Sequence, residues 1–198
     1  MMTLPEQVGV MVLPQTVFFP HHLLPLHIFE PRYREMLRQA LEGPRMFAVS
    51  MEDPQRPASR VGGLGLIRSC VQQSDGTSNL ILQGVARVRL EHLVQTRPYV
   101  IASPEPMEES APSPTSETVV REALVAKVLE HLETLELPKE AGLGEMKKFL
   151  RHLEDHHALV DLVAGCFLRD PASRQKILET AGLTDRLRIL CQKLSEIK

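Results

Sequence analysis

The run HLEDHH places His152 and His156 four residues apart, the spacing that sets two imidazoles on one helical face where they could share a metal ion. A metal site needs a third ligand and supporting groups behind it, and the run is not HExxH, so it reads as the solvated end of a helix. Gly62, Gly63 and Gly65 have the beginnings of a dinucleotide loop, but position 68 is Arg and no helical periodicity follows. Bending of a strand explains them better. Cys70, Cys166 and Cys191 form no CxxC pair and show no sign of thiolate activation. They are expected to be small buried side chains in a reducing cytoplasm. No GxxxxGK[ST] occurs, so no loop is present to cradle nucleotide phosphates. These patterns name no catalytic residue, no metal ligand and no cofactor.

What remains is binding. Phe18, Phe19, His21 and His22 lie in the uncharged stretch QTVFFPHH between two apolar runs. A loop of that composition is the candidate contact surface for a partner, because loops and exposed apolar patches carry interaction more often than cores do. Charge narrows the partner class. Residues 1–110 hold ten Arg against eleven acids, and the whole chain carries a net charge of -2, so neither half has the basic excess that phosphate backbones reward. With six Phe, two Tyr and no Trp, a broad stacking platform for bases is absent as well. No run of apolar residues is long enough for a membrane span, and the N-terminus lacks a basic region before its apolar stretch, unlike a signal peptide.

The elements that must position these residues fall into two halves. PEPMEESAPSPTSET, residues 104–118, gathers four prolines, five Ser or Thr and four acids, and reads as a linker between units at 1–110 and 111–198. Before it, short apolar runs are punctuated by Gly and Pro. Val8 to Leu13 and Leu23 to Phe29 are expected strands, the second an edge strand or a bulge because of Pro25. Glu30 then precedes Pro31 at the first turn of a helix whose apolar face includes Tyr33, Met36 and Leu37, and Gly43-Pro44 stops it. Met46 to Met51 and Val61 to Gln72 are further strands. Asp75-Gly76 predicts a type I′ hairpin turn with positive φ at both central residues, leading into a strand at Asn79 to Leu82. Another strand follows Gly84, with Ala86, Val88 and Leu90 on one face and Arg87, Arg89 and Glu91 on the other. Tyr99 to Ser103 closes a set of about six, the pattern of a small barrel.

After the linker the apolar spacing is helical. Val120, Leu124, Val128, Leu132 and Leu135 form a stripe on a helix from about Glu117 to Leu137, and Met146, Phe149, Leu150 and Leu153 mark a second. A third carries Leu159, Leu162, Val163 and Phe167. Asp170-Pro171 is an N-cap and first-turn proline for a fourth that reaches Gly182, and Thr184 or Asp185 is expected to cap the last. Short connections between five such segments predict an antiparallel bundle.

Taken in order, LPLHIFEPRYREMLRQAL, VGGLGLIRS, SDGTSNLILQGVARVRL, PYVIASPE and LVDLVAGCFLRDPASRQKILETAGLTDRLRIL resemble the N-terminal domain of Lon proteases from residue 8 to about 195. The resemblance implies an α+β fold: a PUA-like β-barrel of about six strands with one embedded helix, then a helical bundle. It also implies structural roles for Glu30, Pro31, Arg32, Tyr33, Asp75, Gly76 and Gly84, which match the family's motif positions. In Lon proteases an ATPase domain and a Ser-Lys protease domain follow this module, whereas here the sequence stops at Lys198. The resemblance therefore implies a stand-alone, non-enzymatic module that binds unfolded or exposed segments of client proteins, or acts as an adaptor, through a groove between barrel and bundle or by strand addition. RNA binding, known for PUA-like barrels elsewhere, is the alternative, and fold analogy alone supports it.

Overall fold

A computed structural model of the protein describes residues 4–55, 58–107, 115–135 and 143–197. The Cα packing divides the chain into two compact units, Met1–Met107 and Glu108–Lys198. The first carries strands β1 (Val8–Leu13), β2 (Leu23–Ile28), β3 (Met46–Met51), β4 (Val61–Gln72), β5 (Ser78–Gln95) and β6 (Val100–Pro106), with helix α1 (Pro31–Glu42) between β2 and β3. The second is helical: α2 (Thr115–Thr134), α3 (Leu143–Arg151), α4 (His156–Phe167), α5 (Pro171–Glu179) and α6 (Leu183–Ser195). This is the expected α+β class.

The sheet order is β2-β5-β4-β3-β1-β6, and a further β5–β6 pairing closes five of the strands into a barrel. Closure depends on the length of β5. The two strands expected on either side of Gly84 are one 18-residue strand, whose first half pairs with β2 and whose second half pairs with β6, while β4 runs along both. Gly84 does not end it; the register with β4 shifts between Leu64 and Gly65, a bulge that bends the ladder. β1 and β3 are parallel, as a crossover through α1 requires, and the other pairings are antiparallel. Among the described residues β2 is bonded to β5 alone, so Pro25 sits on an open edge, where its missing N–H breaks no ladder.

Tyr33, Met36 and Leu37 of α1 pack with Phe47, Leu80 and Leu82 into one core cluster, while Val10, Ala48, Leu64, Val88 and Val100 build another. Over the expected stretch Ala86 to Glu91 the alternation of β5 holds except at Arg87, which is buried rather than outward, and beyond it Leu93 and Val94 are both exposed. In the helical unit α6 packs on α2, α4 and α5. Val128, Leu132, Leu159, Val163, Ile177 and Leu187 are among its buried residues, and Arg186 of α6 forms an ion pair with Asp161 of α4 that is sealed from water.

Several helix ends differ from expectation. Gly182, not Thr184 or Asp185, occupies the N-cap of α6, and α5 ends at Glu179. Val120 and Phe149, assigned to buried stripes, are exposed at 41% and 55%. The expected linker enters β6 at its start and α2 at its end, and residues 108–114 of it lie outside the described residues, as do Leu137 and Pro138.

Candidate functional site

The segment between β1 and β2 does not form an exposed aromatic loop. Val17, Phe18 and Phe19 are 4%, 3% and 1% exposed. The expectation that Phe18 and Phe19 face a partner is therefore corrected: they are core residues of the first unit, each stabilising it by about 1.5–3 kcal/mol through burial. They can lie there because glycines clear their path. A Cβ added at Gly63 would collide with the carbonyl oxygen of Phe18, and one at Gly84 with that of Phe19. The backbone runs over the sheet as a strap, pinned where His21 N donates to Gly84 O at 3.0 Å and Gly84 N donates to His22 O at 2.8 Å. His21 takes a left-handed φ of 64° and points outward, while the half-buried His22 ring lies 6.0 Å from that of Phe19 and holds the Pro20 carbonyl at 3.1 Å.

The motif that follows acts as a fastening. Pro31 is the first residue of α1, with Glu30 before it in extended conformation. The Glu30 carboxylate makes no cap bond to the helix; it accepts from Arg32 Nε at 2.8 Å and Nη2 at 2.7 Å. The Arg32 guanidinium in turn covers the Tyr33 ring, 4.6 Å from its centroid. Tyr33 Oη donates to the Val12 carbonyl at 3.0 Å and accepts from Val12 N at 3.2 Å, tying α1 to β1, and burial pushes the phenol above its ordinary pKa. Tyr99 makes a second tether, donating to Gln39 Oε1 at 2.6 Å.

The β4–β5 turn also departs from expectation. Only Gly76 has positive φ, 80°, and Asp75 does not. Gly76 N donates to Gln73 O at 3.0 Å and Gln73 N to Thr77 O at 2.8 Å, a three-residue loop rather than a two-residue type I′ turn. Asp75 stabilises it from within, accepting from Thr77 N at 2.9 Å and Thr77 Oγ1 at 2.7 Å, bonds that lower its pKa.

No group of three or more His, Cys, Asp or Glu able to hold a metal exists among the described residues. The HLEDHH run lies at two helix ends: His152 follows Arg151, the last residue of α3, and His156 and His157 open α4, which Asp155 caps by accepting from His157 N and Ala158 N. All three cysteines are free thiols. Cys166 is exposed and Cys70 half-buried, so only Cys191 is the buried side chain expected; burial pushes its thiol up in pKa.

What sequence reading missed is the outer face of β2. Leu23 is 64% exposed, Pro25 and His27 are exposed beside it, and Phe29 just beyond the strand is 61% exposed. His27 stacks on Phe29 at 5.9 Å and bonds Asn79 Oδ1 through Nδ1 at 2.8 Å. The register carries this face across the sheet: Pro25 opposes Ile81, and Asn79 opposes Val71, which is 61% exposed. An uncharged surface thus spans three strands, with His21 and His22 at its near end. LLPLHI held the signal, since a strand apolar on both faces next to an edge proline has one apolar face left over.

The family model for the ATP-dependent protease La (LON) substrate-binding domain matches residues 7–196. The chain belongs to this Lon family. Among curated relatives, the Lon protease of Phenylobacterium zucineum is 30% identical over 200 residues, covering 93% of this chain, and that of Dictyoglomus thermophilum is 26% identical over 195 residues, again covering 93%. The chain spans about a quarter of the length of these relatives, 24% in both cases. Among solved structures, the N-terminal domain of Mycobacterium avium complex Lon protease superimposes with a TM-score of 0.76 at 17% identity, over 96% of this chain and 98% of that one. A Lon N-terminal domain protein from Xanthomonas campestris gives 0.64 at 17% identity, over 94% and 97%. At those identities the structures establish the shared fold, and the family rests on the sequence match.

Proposed function

We propose that this Lon-family domain binds exposed apolar segments of client proteins, as a substrate-receiving module or adaptor, and performs no chemistry itself. The observation that supports the reading is the uncharged face on which Leu23, Phe29 and Val71 are 64%, 61% and 61% exposed, in a domain matched to a substrate-binding family. Large apolar side chains gathered on one sheet face of a folded unit mark a surface meant to be covered. The open edge beside it is blunted by Pro25, which denies a docking strand one backbone donor. Side-chain contact on the face is accordingly the stronger mode, with strand addition subsidiary, and His21 and His22 are its flanking polar groups. The reading places the protein in a reducing cytoplasm, consistent with three free thiols and with no helix among the described residues long and apolar enough to cross a membrane.

Fluorescence anisotropy with a labelled, permanently unfolded carboxymethylated protein tests it. Leu23→Ser combined with Phe29→Ser should weaken binding about tenfold or more, since each removes roughly 1.5–3 kcal/mol of burial if fully covered in the complex. Equal affinity of wild type and this variant, with the fold intact by circular dichroism, would overturn the proposal.

A further inference from the structure

On another side of the first unit, between α1 and the far end of β4, is a groove with different chemistry. Pairing of β4 with β3 ends at Leu66, whereas β4 continues to Gln72 with β5 on one side only. Its other side from Arg68 to Gln72 has no strand partner among the described residues. α1 lines the space opposite and the Asp75-Gly76 turn lines one end, leaving a groove of about 700 Å³, within the range of ligand-binding clefts. Leu37, Leu41 and Cys70 give it an apolar floor, and Arg34, Arg38 and Arg45 line it.

The three arginines are not equivalent. Arg38 is held between Glu35 and Glu42 at 2.7 Å each, so its charge is answered within the helix. Glu35 also accepts from Gln39 and is fully committed to its own helix. Arg34 and Arg45 have no carboxylate partner among the described residues. Arg34 is also positioned: its guanidinium lies against Gly76, where a Cβ would collide with it. The groove therefore offers two unanswered positive charges, an apolar floor and a row of backbone groups on a free strand edge. No lining residue is aromatic, so bases have nothing to stack on.

We propose that this groove is a second recognition site, taking an extended acidic peptide segment that adds to the free edge of β4 and sets its carboxylates on Arg34 and Arg45. Charge complementarity selects the acidic residues, and the strand edge supplies main-chain affinity. No side chain lining the groove belongs to the apolar face, which the β4 edge meets only through the backbone of Val71, and the site stands whether or not that face binds clients.

The test uses the full chain and a fluorescein-labelled decapeptide alternating Glu with Val, against the same peptide with Gln for Glu. The acidic peptide should bind at least tenfold more tightly, and weaken as salt rises. Arg34→Glu with Arg45→Glu should cost about tenfold or more, two exposed ion pairs being replaced by repulsion, while Arg89→Glu, a reversal at an exposed site on β5, should leave affinity unchanged. Saturating peptide should slow alkylation of Cys70 and leave Cys166 as before, a readout in the wild-type chain that stands even if the double variant misfolds. Equal binding of the Gln peptide, an equal loss with Arg89→Glu, or unprotected Cys70 at saturation would each overturn the proposal. Tighter binding of a single-stranded RNA, lost with the same two arginines, would overturn it in favour of a nucleic-acid site.

Discussion

The strap across the barrel makes Gly84→Ala the most informative single substitution. The nearest atoms to the added methyl are all backbone: the carbonyl oxygen and carbon of Phe19 and the Cα of Pro20, the last two at 3.0 and 3.1 Å. No side chain can rotate away, so the strap itself must lift. Forcing a methyl into a packed site costs about 1–3 kcal/mol. Lifting the strap also stretches the bonds His21 N to Gly84 O and Gly84 N to His22 O, each worth about 0.5–1.5 kcal/mol. The expected loss is about 2–6 kcal/mol, a large share of the roughly 5–15 kcal/mol of an ordinary domain. With no tryptophan in the chain, urea unfolding is best followed by far-ultraviolet circular dichroism. Gly144→Ala is the control: nothing lies within 4 Å of its added Cβ, and in a helix it should be neutral or stabilising by up to about 1 kcal/mol. An unfolding free energy for Gly84→Ala within about 0.5 kcal/mol of wild type would refute the packing of Phe18 and Phe19 beneath the strap.

Three further outcomes follow from the same geometry. Tyr33→Phe leaves the N–H and C=O of Val12 without the hydroxyl that bonds both, and should destabilise the first unit by about 1–3 kcal/mol in the same unfolding experiment. Asp161→Ala strands the buried charge of Arg186 and should cost about 3–5 kcal/mol, whereas Asp161→Leu with Arg186→Met should recover most of that loss; a double variant as unstable as the single would sink the argument. Asp170 accepts from the Ser173 hydroxyl, then from Ser173 N and Ala172 N, which hold its pKa below the usual 3.8. A carboxyl with a depressed folded pKa stabilises above its unfolded value and loses that contribution as pH falls through the folded one. The thermal midpoint of the helical unit should thus fall more steeply below pH 3.8 in wild type than in Asp170→Asn.

Local signals were legible where they act locally. Pro31 at a helix start, Asp170 before Pro171, and the apolar runs at 46–51 and 61–72 each lie within a few residues of what they determine. The strap was illegible because its cause is remote: Phe18 and Phe19 are buried by the absence of side chains at Gly63 and Gly84, far along the chain. Read alone, a Phe-rich stretch closed by proline and two histidines is an exposed turn. Gly84 misled for a related reason. Glycine between two apolar runs reads as a break, yet here it lets a strand continue beneath a crossing backbone. Arg87 and Cys166 fail the alternation and stripe rules in opposite directions, one buried and one exposed, because the environment on each side is made by other elements.

The EPRY motif and the two candidate surfaces share one mechanical dependence. Tyr33 fastens α1 to β1, and the same helix presents Arg34 to the groove while Pro31 follows directly on the exposed Phe29 of the apolar face. Loosening that fastening would disturb both surfaces together, so loss of binding in a Tyr33 variant carries no information about contact. Leu23 and Val71 on one face, and Arg45 in the groove, lie outside the motif, and their side chains take no part in the bonds of Glu30, Arg32 and Tyr33. Substitution at those positions separates recognition from folding. An apolar face binds many sequences weakly, because burial is not directional. In the proposed second groove, a pair of arginines would reject most of those sequences and keep the acidic ones, adding selectivity by charge to affinity by burial.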